Sequence, residues 1–167
     1  MKAIRNVKVR QLVDWKAAIL AGLAGGIVSL FSNIFISSSL LDSPWLFLRI
    51  IASILLGKGV LPPPVDFSWP VLFAGLGIHL SLSVIFACVI AAVVHQWGMI
   101  VSFLGGAVLG LAFYTINFYT LTLLFPWFYP FRSWIFLLMH MLYGAFAGSV
   151  YELLEVEKYV EIKEGGV

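Results

Sequence analysis

The sequence predicts an all-α membrane protein: an up-down bundle of four transmembrane helices, with a short interfacial or re-entrant helix between the first and second. Two observations carry this. Of 167 residues, 62% are hydrophobic and only 11% charged, and the mean hydropathy is +1.03. A soluble domain carries about 25% charge, and this chain has too little polar surface to cover a core. The second observation is length. Four apolar runs each match the roughly 20 residues needed to cross a hydrocarbon layer about 30 Å thick. The runs are continuous and do not alternate, so they read as helices and not as barrel strands. The whole chain reads as one membrane domain.

The first span covers about residues 17–41, AAILAGLAGGIVSLFSNIFISSSLL. It is too long for the apolar core of a cleaved signal peptide, and no A-x-A site follows it. A second apolar stretch, about 45–56, is too short to cross and is interrupted by Arg49. It reads as an interfacial or re-entrant helix, ended by Gly57 and Gly59, with Pro62, Pro63 and Pro64 forcing extended backbone after it. The second and third spans cover about 69–94 and 99–125, and the link at Gln96 is short enough to make them antiparallel neighbours. The fourth covers about 134–154, after the short link PWFYPFRS. None of the four contains Lys, Arg or Asp, and Glu152 lies at the very end of the last. Trp15, Trp45, Trp69, Trp97, Trp127 and Trp134 all fall at or near span ends, as an interfacial aromatic belt requires. The tail VEKYVEIKEGGV reads as a short helical continuation with a disordered end.

Basic residues set the expected orientation. Lys2, Arg5, Lys8, Arg10, Lys16, Lys158 and Lys163 flank the outer ends of the chain, against Arg49, Lys58 and Arg132 on the opposite side. Seven against three places both termini in the cytoplasm. Glu155, Glu157, Glu161 and Glu164 count little in that rule. The cationic N-terminal segment faces anionic lipid headgroups on this reading, and nucleic acid is not an expected partner.

Small residues recur at helical spacing: Ala18, Gly22 and Gly26 in the first span, Gly106 and Gly110 in the third, Gly144 and Gly148 in the fourth. Lipid supplies no hydrophobic drive for helix association, so such stripes mark faces where backbones approach closely. Packing within the bundle is the first reading, and oligomer contacts are the competitor. Each span also carries one strongly polar side chain far from its ends: Asn33, His79, Asn117 and His140. Measured from the span centres, all four sit roughly 4 to 8 Å outward of the midplane. Each shares a face with the small residues, and in lipid an unpaired polar group is costly, so the four are expected to point inward and meet. The spacing Gly-x6-Asn followed by His-x3-Ser-x3-Ala in the first half, and by His-x3-Gly-x3-Gly in the second, hints at an internal duplication.

Three readings of this polar layer compete. It is packing glue; or His79 and His140, on diagonal helices, hold haem b between them; or it belongs to a small oligomeric transporter or channel. Glu152 at the end of the fourth span aside, no carboxylate lies within the spans for proton or sodium coupling, and two histidines alone are a thin ligand set for a metal. His95, beside Gln96 and Trp97, reads as an exposed turn residue. Cys88 stands alone, so no intrachain disulfide forms. No nucleophile–base pair, phosphate loop or Cys-x-x-Cys appears, so no catalytic residue and no enzyme activity is expected. The favoured reading is a non-catalytic accessory or structural subunit, or a homo-oligomer.

Three segments carry a family resemblance: DWKAAILAGLAGG, LGKGVLPPP and INFYTLTLLFPWF. With His79 and His140 early in their helices, the chain resembles a group of small four-helix bacterial inner-membrane proteins often labelled "sodium:proline symporter". The resemblance runs from Asp14 to Glu152 and implies a bacterial inner membrane. The label itself does not suit the chain, because sodium–solute symporters need more helices and broken-helix ion sites.

Overall fold

A computed structural model describes residues 8–40 and 42–162. Lys2, Arg5, Lys163 and Glu164, used above, lie outside them, as does the last expected residue of the first span, Leu41. In chain order the elements are β1 (Lys8–Leu12), α1 (Trp15–Leu40), α2 (Leu46–Leu56), α3 (Trp69–Val94), α4 (Met99–Thr115), α5 (Trp134–Leu154) and β2 (Lys158–Ile162). Past Thr115, α4 continues through one π-helical turn (Ile116–Thr120) and one 3-10 turn (Leu121–Leu123), so the third apolar span is Met99–Leu123. Among the described residues, four helices are therefore long and apolar enough to cross a membrane, with α2 as the short apolar helix between the first two.

The bundle is rhombic. α1 packs on α3 and α5, and α4 chiefly on α5. α3 and α5 meet across the short diagonal, while α1 and α4 scarcely touch. Glycine decides these contacts. A methyl on Gly106 or Gly110 would collide with the Gly144 or His140 carbonyl, one on Gly144 with the Gly106 carbonyl, and one on Gly148 with the Ser102 carbonyl. On the other pair, a methyl on Gly22 would lie 2.7 Å from Val84 Cα, and one on Gly26 2.9 Å from Ser83 Cβ. All six glycines are thus spent inside one bundle. The two antiparallel pairs also meet at corresponding positions. Gly22 against Ser83 and Val84 matches Gly106 against Gly144 and Ala145, and Gly26 against Leu80 matches Gly110 against Met141.

α2 leans on α3, where Leu48 fills the gap left by Gly75, whose added methyl would sit 2.8 Å from the Leu48 carbonyl. Gly57 ends α2 with φ +79°, a conformation that other residues adopt at a cost. Arg49 then secures the loop that follows, donating to the Val60 carbonyl at 2.7 Å and the Asp66 carbonyl at 2.6 Å.

The tail does not continue the helix. Glu155 turns to extended backbone, and β2 pairs antiparallel with β1, Lys8 opposite Ile162 and Leu12 opposite Lys158. Edge pairing of two short strands satisfies backbone groups that an isolated final helical turn would leave to solvent. Asp14 ties this ribbon to the bundle. Its Oδ1 accepts from the Lys16 and Ala17 amides, capping α1, and its Oδ2 accepts from the Val156 amide at 3.1 Å. The Asp14 amide in turn donates to the hydroxyl of the fully buried Tyr151. His95 is also not exposed as the sequence reading had it. It is 8% accessible, with Nδ1 donating to the Ala92 carbonyl and Nε2 accepting from Gln96.

Hydrogen bonds from Ala17 and Val156 hold the Asp14 carboxyl below its ordinary value of 3.8. A depressed folded-state pKa adds stability above the unfolded pKa, and that stability disappears as pH falls through the folded value. Asp14→Asn keeps the cap but presents no second acceptor to Val156, whereas Asp14→Ala loses both, with a cap loss of about 1 kcal/mol. Amide exchange at Val156 should therefore quicken below about pH 4 in the native protein. In Asp14→Asn it should be fast and independent of pH in that range, apart from intrinsic exchange chemistry.

Candidate functional site: a polar and aromatic cavity inside the bundle

Asn33, His79, Asn117 and His140 all line one cavity of about 110 Å³, bordered by α1, α2, α3, the π turn after α4, and α5. Among these four residues one pair bonds directly, Asn117 with His140. His140 Nδ1 lies 2.8 Å from the Phe136 carbonyl, which can only accept, so Nδ1 carries the proton. Its Nε2 then accepts from Asn117 Nδ2 at 3.1 Å. The same reasoning fixes His79, whose Nε2 donates to the Gly26 carbonyl at 2.9 Å. Glycine at position 26 makes that bond possible, because no side chain stands between α3 and the α1 backbone.

Asn33 stays on its own helix. Its Nδ2 donates to the Ser29 carbonyl at 2.8 Å and to Ser29 Oγ at 3.2 Å. Its Oδ1 is buried and takes no hydrogen bond. A further lock joins the diagonal helices, where the Tyr143 hydroxyl donates to the Ser83 carbonyl.

Sequence reasoning missed the aromatic half of the site. Phe47 meets the His79 ring edge-on at 5.5 Å, and Tyr114 and Phe118 do the same to His140 at 5.7 and 5.8 Å. The dense phenylalanine content between 113 and 136 was the available signal. Arg132 was also missed. It donates from Nε to the Phe118 carbonyl at 2.5 Å and from Nη2 to Thr122 Oγ1 at 2.7 Å, and it lies over the Tyr119 and Tyr129 rings. It thereby fastens the π and 3-10 turns that carry Asn117. At the opposite end of the bundle, Ser102 donates to Glu152 across the α4–α5 contact at 2.9 Å.

Haem ligation does not fit this arrangement. Both nitrogens of His140 are engaged, and His79 Nε2 is held by a backbone carbonyl. A cavity of about 110 Å³ is also far below the roughly 300–1,000 Å³ that drug-sized ligands occupy.

The four long apolar helices and this buried polar layer define a multi-pass membrane protein. Comparison with protein families, with curated proteins and with solved structures gives no match.

Proposed function

We propose that the protein is a non-catalytic subunit of a bacterial inner membrane, which associates through its bundle with a second copy of itself. The observation that carries this is an open furrow of about 350 Å³ on the bundle's outer surface. It exists because α1 and α4 stand apart over α5. Gly25, Ser32 and Ser149 line it beside Val28, Phe103 and Phe146, and the last three are 48%, 49% and 38% exposed. Small and hydroxyl residues beside bulky apolar ones suit the close approach of another transmembrane helix.

Both termini face the cytoplasm in this reading. The two arginines on the opposite side, Arg49 and Arg132, are tied to backbone carbonyls, which leaves Lys58 as the exposed cation there. α2 is re-entrant. It touches His79, ten residues and about 15 Å along α3 from Trp69. The resemblance between Asp14 and Glu152 to small four-helix inner-membrane proteins supports the compartment.

The test is oxidative cross-linking in native membranes. A Cys88→Ala chain carrying Phe146→Cys, and another carrying Val28→Cys, should each form a disulfide-linked dimer. A Leu123→Cys chain, on an 83% exposed site away from the furrow, should not. Monomers at both furrow positions, together with a monomer by native mass spectrometry in detergent, would sink the proposal.

A further inference from the structure

Within the cavity, three of the four polar residues are committed and one atom is not. The histidines and Asn117 lock neighbouring elements together, while Asn33 Oδ1 accepts nothing although Asn33 is only 5% exposed. The orientation of this amide is determined. Exchanging its nitrogen and oxygen would set two acceptors, Oδ1 and the Ser29 carbonyl, 2.8 Å apart. The uncommitted atom is therefore an acceptor. His79, which also lines the cavity, donates from Nε2 and so keeps Nδ1 as the acceptor of a neutral ring.

Apart from Ser29, Ser83 and Tyr143, the rest of the lining is apolar, built from phenylalanines of α2, α3, the third and fourth spans and the link between them, with Ile50, Ile51 and Ile54 of α2. Among the described residues no Lys, Arg, Asp or Glu lines it, so none of them offsets a ligand charge there. Its volume of about 110 Å³ is of the order of the ~150 Å³ apolar cavity that takes up one benzene ring.

We propose that this cavity is a binding site for a small, neutral, largely apolar molecule, or the end of a longer one, that carries a hydroxyl and donates it to Asn33 Oδ1. A phenol is the simplest member of that class. The hydroxyl satisfies Asn33 Oδ1, which the fold leaves buried and without a partner, and the ring fills the space among the phenylalanines. The site belongs to a single chain and does not depend on association through the furrow.

The experiment compares phenol with toluene, which has nearly the same shape and no donor, by calorimetric titration of the detergent-purified full chain. Micelle partitioning is common to wild type and variant, so the quantity read is the phenol-to-toluene affinity ratio in each. One hydrogen bond corresponds to a fall of about 3- to 10-fold in that ratio for Asn33→Leu. An unchanged ratio, or no saturable binding of phenol to the wild type, overturns the proposal; a cavity filled only by water gives the latter. Should Asn33→Leu fail to fold, photolabelling of the wild type with 3-azidophenol decides. Adducts on Phe47, Phe118 or Met139 of the lining are expected. Adducts confined to outward residues such as Phe31 and Leu123, 67% and 83% exposed, overturn it.

Discussion

Gly144→Ala is expected to destabilise the protein severely, by on the order of 3 kcal/mol, while Gly77→Ala leaves it unchanged or slightly more stable. The two substitutions are chemically identical, and both sites are helical. They differ in what the new methyl meets. At Gly144 it would collide with the Gly106 carbonyl and lie 3.0 Å from the Gly110 amide nitrogen. At Gly77 it meets nothing within 4 Å. The atoms in the way at Gly144 are backbone, so no rotamer change relieves the clash, and α4 and α5 must separate along their whole contact. At Gly77 the methyl only removes glycine's helix penalty, up to about 1 kcal/mol. Thermal or SDS-induced unfolding of the two variants checks this. Equal midpoints would mean that α4 and α5 do not pack at Gly144.

Arg132→Ala should cost about 2–3 kcal/mol and loosen the end of the third span selectively. The π turn at Ile116–Thr120 departs from the regular helical hydrogen-bond ladder. The Phe118 carbonyl accepts from both the Thr122 hydroxyl and Arg132. Hydrogen bonds from a charged donor contribute about 1.5–3 kcal/mol, and stacking on an aromatic face adds roughly 0.5–1. Arg132→Lys should not restore the loss, because an ammonium has no planar fork to reach Phe118 and Thr122 together from between two tyrosines. Hydrogen exchange should rise at residues 117–124 and stay unchanged at the Ser102–Glu152 end of the same helix pair. A uniform rise, or full rescue by lysine, would contradict this account.

The spans were legible because bilayer thickness sets a length that any long apolar run must match, and the observed second and fourth spans coincide with the expected ones. α2 was legible for the converse reason, as an apolar stretch too short to cross. The depth of Asn33, His79, Asn117 and His140 could be counted along ideal helices, so their convergence on one region was readable. Their partners were not. Whether His79 bonds to a side chain or to the Gly26 carbonyl depends on how closely α1 and α3 approach, which no periodicity encodes. The π turn escaped because one extra residue per turn leaves the composition unaltered. The ribbon escaped because KVRQL and KYVEI are five-residue segments at opposite ends of the chain, and the pairing between them has no local signature. Asp14 was more accessible: an aspartate directly before an apolar helical run is a helix N-cap by residue type alone.

The β1–β2 ribbon gives the chain an unusual connectivity. With Lys8 opposite Ile162, and Asp14 bridging to Val156, the first and fourth spans are joined at this end of the bundle by hydrogen bonds, as the second and third are joined there covalently by the turn at Gln96. In terms of contacts, the molecule is a closed ring of four helices, and where the polypeptide begins is incidental to it. Fusing the two ends and opening the ring at Gln96–Gly98 would give a permuted chain in which α4 comes first and α3 last. Such a chain keeps every helix pair, places both new ends on the side of the β1–β2 ribbon, makes that hydrogen-bonded seam covalent and gives up the covalent turn at Gln96.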